Sequence, residues 1–231
     1  MERFFDAASD GLMAVWTSLD ASDLERALDA RDGDDRTVLH VASSTGQVEV
    51  VEFLLARGGA RLVNASDEEG WAPLHSASSA GHLRVVQQLV QAGADVHAAN
   101  SSGCTALHYA ASKGHVSVLR FLLDNGAKLA ARDKQQATAL HRAAATGKVP
   151  AIECLLEAGA NIETEDKLQQ TPIILAANGQ HKQAAIFLLE KGADPTKEDK
   201  EGECAFSVAP EELRNVLLQH WRQLQKDAGE Q

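Results

Sequence analysis

The sequence predicts an all-α solenoid of about seven helix-turn-helix repeats with projecting hairpins, on three observations. A Leu-His pair, usually two residues after a threonine, recurs as Leu39-His40, Leu74-His75, Leu107-His108 and Leu140-His141, at spacings of 35, 33 and 33 residues. A further 33 residues on, Thr171-Pro172-Ile173-Ile174 fills the same slot without the histidine. Glycines fall at matching points between the apolar stripes, with Gly81, Gly114 and Gly147 in one register and Gly93, Gly126 and Gly159 in another.

A period near 33 carrying T-P-L-H-x-A is the signature of ankyrin repeats, each a turn followed by two antiparallel helices. The 231 residues then divide into units near 3–36, 37–70, 71–103, 104–136, 137–169, 170–202 and 203–225, one repeat domain over 1–225, with 226–231 expected as a disordered tail. No unit can bury its apolar face alone, so stacking supplies the core. In the fourth unit Thr105 is placed to cap the first helix, where a hydroxyl satisfies an orphan N–H. Leu107, Ala110 and Ala111 make one narrow face, and Gly114 ends the helix in the left-handed conformation. Val118, Leu119, Leu122 and Leu123 form the stripe of the second helix, closed by Gly126. Pro73 and Pro172 take a first helical position, where no N–H is needed.

The departures from the pattern are specific. The second unit carries extra residues near Gly58-Gly59 and Arg61-Leu62, which a loop absorbs at small cost. In the sixth, Gln180 takes the helix-ending glycine slot and Gly179 is displaced, which predicts a rearranged turn. Both ends read as caps. Ala7-Ala8-Ser9-Asp10-Gly11 matches the segment from Ala42 to Gly46, and Phe206-Ser207-Val208-Ala209 imitates the repeat start before Pro210. Leu213, Val216, Leu217, Trp221 and Leu224 then form one stripe of a last helix.

Composition narrows the function. A net charge of −11 with no basic run disfavours phosphate backbones and anionic lipid, so neither nucleic acid nor membrane is expected as partner. Cys104, Cys154 and Cys204 form no C-x-x-C pair and suit a reducing compartment. Acidic residues near the start exclude a signal peptide there, so a cytoplasmic and nuclear location is expected. His40, His75, His108 and His141 sit in a slot set by the repeat, where an imidazole ties adjacent units together. Cys104 and His108 are four apart, but zinc needs three or four ligands and no others converge. No G-x-S-x-G, H-E-x-x-H or phosphate-binding glycine loop is present, so neither enzyme chemistry nor a cofactor is expected.

A protein-binding role remains. Hairpin tips and the exposed side of each first helix would line a concave face. Asp34, Arg36, Glu68, Glu69 and Trp71 lie on the tips, while Tyr109, Lys113 and Arg142 lie on first helices. Exposed Trp, Tyr and Arg are the types that anchor interfaces, although Trp71 could instead pack beneath its hairpin.

At the segments Gly70 to Gly81, Gly103 to Lys113 and Ala137 to Ala145 the chain resembles the gankyrin family. Trp71, Cys104, Tyr109, Lys113 and Arg142 carry that resemblance, because the repeat pattern does not demand them. It covers about Asp34 to Ala160 well and both caps weakly. Gankyrin-like proteins are assembly chaperones of the 26S proteasome regulatory particle that hold the C-terminal domain of an ATPase subunit, and this chain is expected to be a monomer. The resemblance implies that Asp34, Arg36, Glu68, Glu69, Trp71, Tyr109, Lys113 and Arg142 contact such a partner. The family's Leu-x-Cys-x-Glu motif is replaced here by Leu175-Ala176-Ala177-Asn178-Gly179, which argues against a cell-cycle role. The fold alone equally permits a general scaffold or an inhibitor of a kinase or transcription factor.

Overall fold

The computed structural model describes residues 2–229, and its described residues hold helices and no extended strand. The first repeat contains α1 (Glu2–Asp10), α2 (Met13–Thr17) and α3 (Ala21–Asp29). The next three contain α4 (Val38–Thr45) with α5 (Val48–Ala56), α6 (Pro73–Ala80) with α7 (Leu83–Gln91), and α8 (Ala106–Lys113) with α9 (Val116–Asp124). The last three contain α10 (Ala139–Ala145) with α11 (Val149–Glu157), α12 (Pro172–Asn178) with α13 (Lys182–Glu190), and α14 (Ala205–Val208) with α15 (Glu211–Gly229). The chain is an all-helical ankyrin-repeat solenoid with two compact halves, Met1–Ala110 with Ser117–Lys128 and Ala111–Val116 with Leu129–Gln231.

In the first half, the expected first cap forms. Gly11 and Gly46 both take the left-handed conformation, at φ 69° and 76°. Leu12 N–H bonds to the Ala7 carbonyl as Gln47 N–H does to Ala42, both at 3.0 Å. The first repeat continues differently from the others, because Trp16 on α2 is fully buried and Asp20 starts a fresh helix by accepting from Asp23 N–H at 2.8 Å. The extra residues of the second repeat form a short 3-10 turn, Gly59–Leu62, entered through Gly58 at φ 101°.

In the second half, the turn after α12 departs from expectation. It is not rearranged: Gln180 itself adopts φ 58°, while Gly179 stays at −73°. His181 N–H then reaches the Ala176 carbonyl at 2.9 Å, as Lys148 N–H reaches Ala143 at 2.9 Å in the previous repeat. The His181 ring, 3.0 Å from the Ala145 carbonyl, pins the turn to that repeat and fixes its geometry regardless of residue. A side chain held in this conformation carries strain that glycine lacks. Gln180→Gly removes about 1–2 kcal/mol of strain against about 0.5–1 kcal/mol of glycine's unfolded-state entropy, and is expected to raise stability by about 0.5–1 kcal/mol. A lower denaturant midpoint would show instead that the glutamine side chain contributes more than its strain.

The last helix also exceeds expectation. Residues 226–229, expected in a disordered tail, continue α15. Neither Gly nor Pro interrupts 211–228, and Gln223 Nε2 donates to Asp227 Oδ1 one turn later at 2.8 Å. Residues 230 and 231, the end of that tail, lie outside the described residues.

Candidate functional site

Each hairpin tip begins with an Asp or Asn whose side chain builds the turn. Asp32, Asp67, Asn100, Asp133, Asp166 and Asp199 each accept, through one side-chain oxygen, the N–H groups two and four residues ahead, at 2.7 to 3.0 Å. The residue three ahead takes a positive φ in every tip, as Asp35, Gly70, Gly103, Gln136, Gln169 and Gly202. Short carboxylates and amides favour such turns because they satisfy the backbone locally. The leading residue of each tip is thus structural, and the partner-facing charges are those that follow it.

Neighbouring tips interlock within each half. Glu68 N–H donates to the Asp34 carbonyl at 3.1 Å, and Ser101 N–H to the Glu69 carbonyl at 2.9 Å. In the second half Lys167 N–H donates to Gln135 and Lys200 N–H to Leu168, at 2.8 and 3.0 Å.

The repeat histidines brace the helix starts behind the tips. Nδ1 of His40, His75 and His141 accepts the N–H of Thr37, Ala72 and Thr138, at 3.0 to 3.1 Å. That bond leaves the ring proton on Nε2, which donates to a carbonyl of the next repeat: Trp71 at 2.9 Å, Cys104 at 3.1 Å and Gln170 at 3.1 Å respectively. Burial disfavours the imidazolium and, against the pull of those carbonyls, holds all three histidines below the ordinary value of 6.5. In the sixth repeat Ile174 replaces the histidine, and the buried Thr171 hydroxyl has no hydrogen-bond partner.

A pH dependence follows from these histidines. A histidine with a depressed folded value binds fewer protons folded than unfolded, so its contribution is complete above about pH 6.5 and is lost as pH falls through the folded value. Unfolding free energy should therefore decline as pH falls below about 6.5. A flat profile over that range would contradict the neutral, doubly bonded rings.

Six of the candidate residues lie in the first half: Asp34, Arg36, Glu68, Glu69, Trp71 and Tyr109. Trp71 and Tyr109 meet across adjacent repeats, with ring centroids 4.2 Å apart and planes tilted by 38°. The His75 ring lies 6.0 Å from Trp71 and 6.1 Å from Tyr109. Asn100 Nδ2 donates to the Tyr109 hydroxyl at 2.7 Å, so the tip orients the ring. Both aromatic rings are half-buried, so Trp71 packs at its hairpin and still offers surface. Glu68 and Glu69 are exposed beside them.

Arg36 is paired within its own tip. Its Nε and Nη2 both lie 2.8 Å from Asp32 Oδ2, and Nη2 lies 3.2 Å from Asp34. Burial alone would raise the Asp32 carboxyl, but Arg36 and the backbone donors outweigh it and hold it low.

Lys113 and Arg142 belong to the second half. Lys113 is exposed at the end of α8. Arg142 is bound internally: Nε donates to Asp133 Oδ2 at 2.9 Å, and Nη2 contacts the same oxygen. The Asp133 side chain is wholly buried while that of Arg142 remains 39% exposed. Burial pushes the Asp133 carboxyl up, yet Arg142 and two backbone N–H groups bring it below its ordinary value. Asn100 with Tyr109 and Asp133 with Arg142 share one arrangement, a tip residue and a helix residue nine positions on. The recurrence of Asp or Asn near every 33 residues was the sequence signal for this brace.

Among the described residues, no group of three or more His, Cys, Asp or Glu could hold a metal, and no helix is long and apolar enough to cross a membrane. What each half offers is a set of interlocked tips, with charged and aromatic side chains in the first and charged side chains in the second.

The family described as "Ankyrin repeats (3 copies)" matches residues 4–100, 63–133 and 129–199. The chain belongs to the ankyrin-repeat family, a protein-binding scaffold. Among solved structures, the human ASB11 ankyrin repeat domain superposes with a TM-score of 0.80 over 94% of this chain and 96% of that chain. Its identity is 23%, a likeness of fold alone. Comparison with curated proteins returns no match.

Proposed function

We propose that this chain is a monomeric, gankyrin-like assembly chaperone of the 26S proteasome regulatory particle, acting in cytoplasm and nucleus. Its partner is the C-terminal domain of an ATPase subunit, and neither nucleic acid nor a membrane is involved. The stacked Trp71–Tyr109 pair carries the reading, because the repeat pattern requires neither ring and the two meet beside exposed carboxylates. Half-buried aromatics of this kind are the usual anchors of protein interfaces. Glu68, Glu69 and Asp34 give the first half the acidic surface that a basic partner face would complement. Arg36 and Arg142 shape the tips through their internal pairs, and Lys113 adds an exposed cation.

The test is titration of the full chain against the isolated C-terminal domain of each regulatory-particle ATPase subunit. One of them should bind saturably. Glu68→Lys with Glu69→Lys should weaken that binding at least about tenfold, because each reversal faces a like charge. Arg222→Glu with Lys226→Glu, exposed on the last helix, should change little. Failure of every ATPase domain to bind would sink the assignment.

A further inference from the structure

The hairpin tips of the second half carry a feature that the reading above does not use. The residue after the turn-building aspartate is a lysine in three successive tips: Lys134 after Asp133, Lys167 after Asp166 and Lys200 after Asp199. The spacing is 33 residues both times, so the three occupy equivalent places. The backbone bonds from Lys167 to Gln135 and from Lys200 to Leu168 hold the tips side by side.

All three lysines are exposed, and none pairs with a carboxylate among the described residues. Lys200 Nζ donates only to the Lys167 carbonyl, at 2.7 Å. The nearest acids are already engaged. Asp133, Asp166 and Asp199 accept their own backbone N–H groups, and Glu165 lies 2.7 Å from Lys197. Glu201 follows Lys200, which makes the first two tips the more cationic. Beside Lys167 stands Leu168, 51% exposed. Leu168 thus sets an apolar side chain open to water among the ammonium groups.

We propose that Lys134, Lys167, Leu168 and Lys200 form a second docking surface, for an extended acidic segment of a protein partner. The charge pattern selects the occupant. In a chain of net charge −11, three unpaired cations in register form a local exception that carboxylates complement. Phosphate polymers would gain nothing from Leu168. A peptide supplies both carboxylates and an apolar side chain. This surface is built from residues of the second half alone and does not depend on the ATPase assignment.

The test uses the full chain and a fluorescent Asp/Glu-rich peptide with one central leucine, followed by anisotropy at low and high salt. The peptide should bind saturably at low salt and weaken steeply as salt rises. Lys134→Gln with Lys167→Gln and Lys200→Gln should weaken it about tenfold, three exposed pairs each contributing a modest factor. Leu168→Ser should weaken it about threefold and leave the salt dependence unchanged. Lys182→Gln with Lys191→Gln, exposed elsewhere on this half, should leave it as it was. All these side chains are exposed, so thermal unfolding curves should coincide. Equal binding by the triple variant would overturn the proposal, as would absence of saturable binding. Tighter lysine-dependent binding of a single-stranded oligonucleotide or phosphatidylserine vesicles, or lysine-dependent self-association, would show that the occupant is wrong.

Discussion

Leu122→Ala is expected to cost about 2–5 kcal/mol. Leu122 is fully buried on α9, on one face with Val118 and Leu119. Interiors pack as densely as organic crystals, so truncation loses the transfer free energy of the removed atoms and leaves a void. In an array of short helices each turn is held by its capping glycine and by backbone bonds to the turn. Ala127 N–H, for example, bonds to the Leu122 carbonyl itself at 2.9 Å. That restraint limits how far the helix can close over the space, which puts the expected loss well inside the range. The matching control is Lys128→Ala, exposed just beyond the same turn, expected within about 0.5 kcal/mol. Urea titration checks both, with the m-value showing whether unfolding stays cooperative. A loss below about 1 kcal/mol for Leu122→Ala would mean that the surrounding layer collapses around the missing side chain.

The fold was legible because the repeat writes the same physical requirement many times. A glycine where the chain must turn left, a Leu-His pair where a helix starts and alanines where helices approach closely each recur in register. Where one copy departs, the neighbours decide. Gln180 illustrates this: local preference predicts a changed turn, yet His181 and its bond to Ala145 impose the standard one. The first repeat was less legible, because Trp16 and the cap at Asp20 belong to that copy alone.

The candidate site was legible in composition and less so in connectivity. Sequence placed Trp71 and Tyr109 on the tip and helix that carry them, but not their stacking, which depends on the offset between repeats. It placed Arg36 and Arg142 on a tip and a first helix, but not the pairs they make within the fold. A carboxylate left unpaired at a buried or half-buried position costs more than an exposed one, so each arginine pairs with such a group within the fold. Those groups are Asp32 four residues before Arg36 and Asp133 nine before Arg142.

Asp133→Ala is expected to cost about 2–4 kcal/mol, since it strips acceptors from the Gln135 and Ala137 N–H groups and from the Arg142 guanidinium. The neighbouring repeat shows how to separate these contributions. There Asn100 keeps both backbone bonds and its amide donates to Tyr109. Asp133→Asn should likewise preserve the turn but set an amide N–H against the arginine, costing about 1–2 kcal/mol. Arg142→Tyr alone leaves a buried carboxylate facing a phenol without its cation and should cost a similar amount. The double variant recreates the Asn100–Tyr109 pairing one repeat later and should recover most of both losses, a coupling of about 1 kcal/mol or more. The acid limb checks the same pair. Asp133 has a depressed folded value, so its contribution holds above the ordinary carboxyl range and is lost as pH falls through that folded value. Variants lacking the carboxylate should lose less stability than the parent below about pH 4. Additive losses in the double variant would show that Arg142 does not depend on Asp133, returning it to the surface as a charge free for a partner.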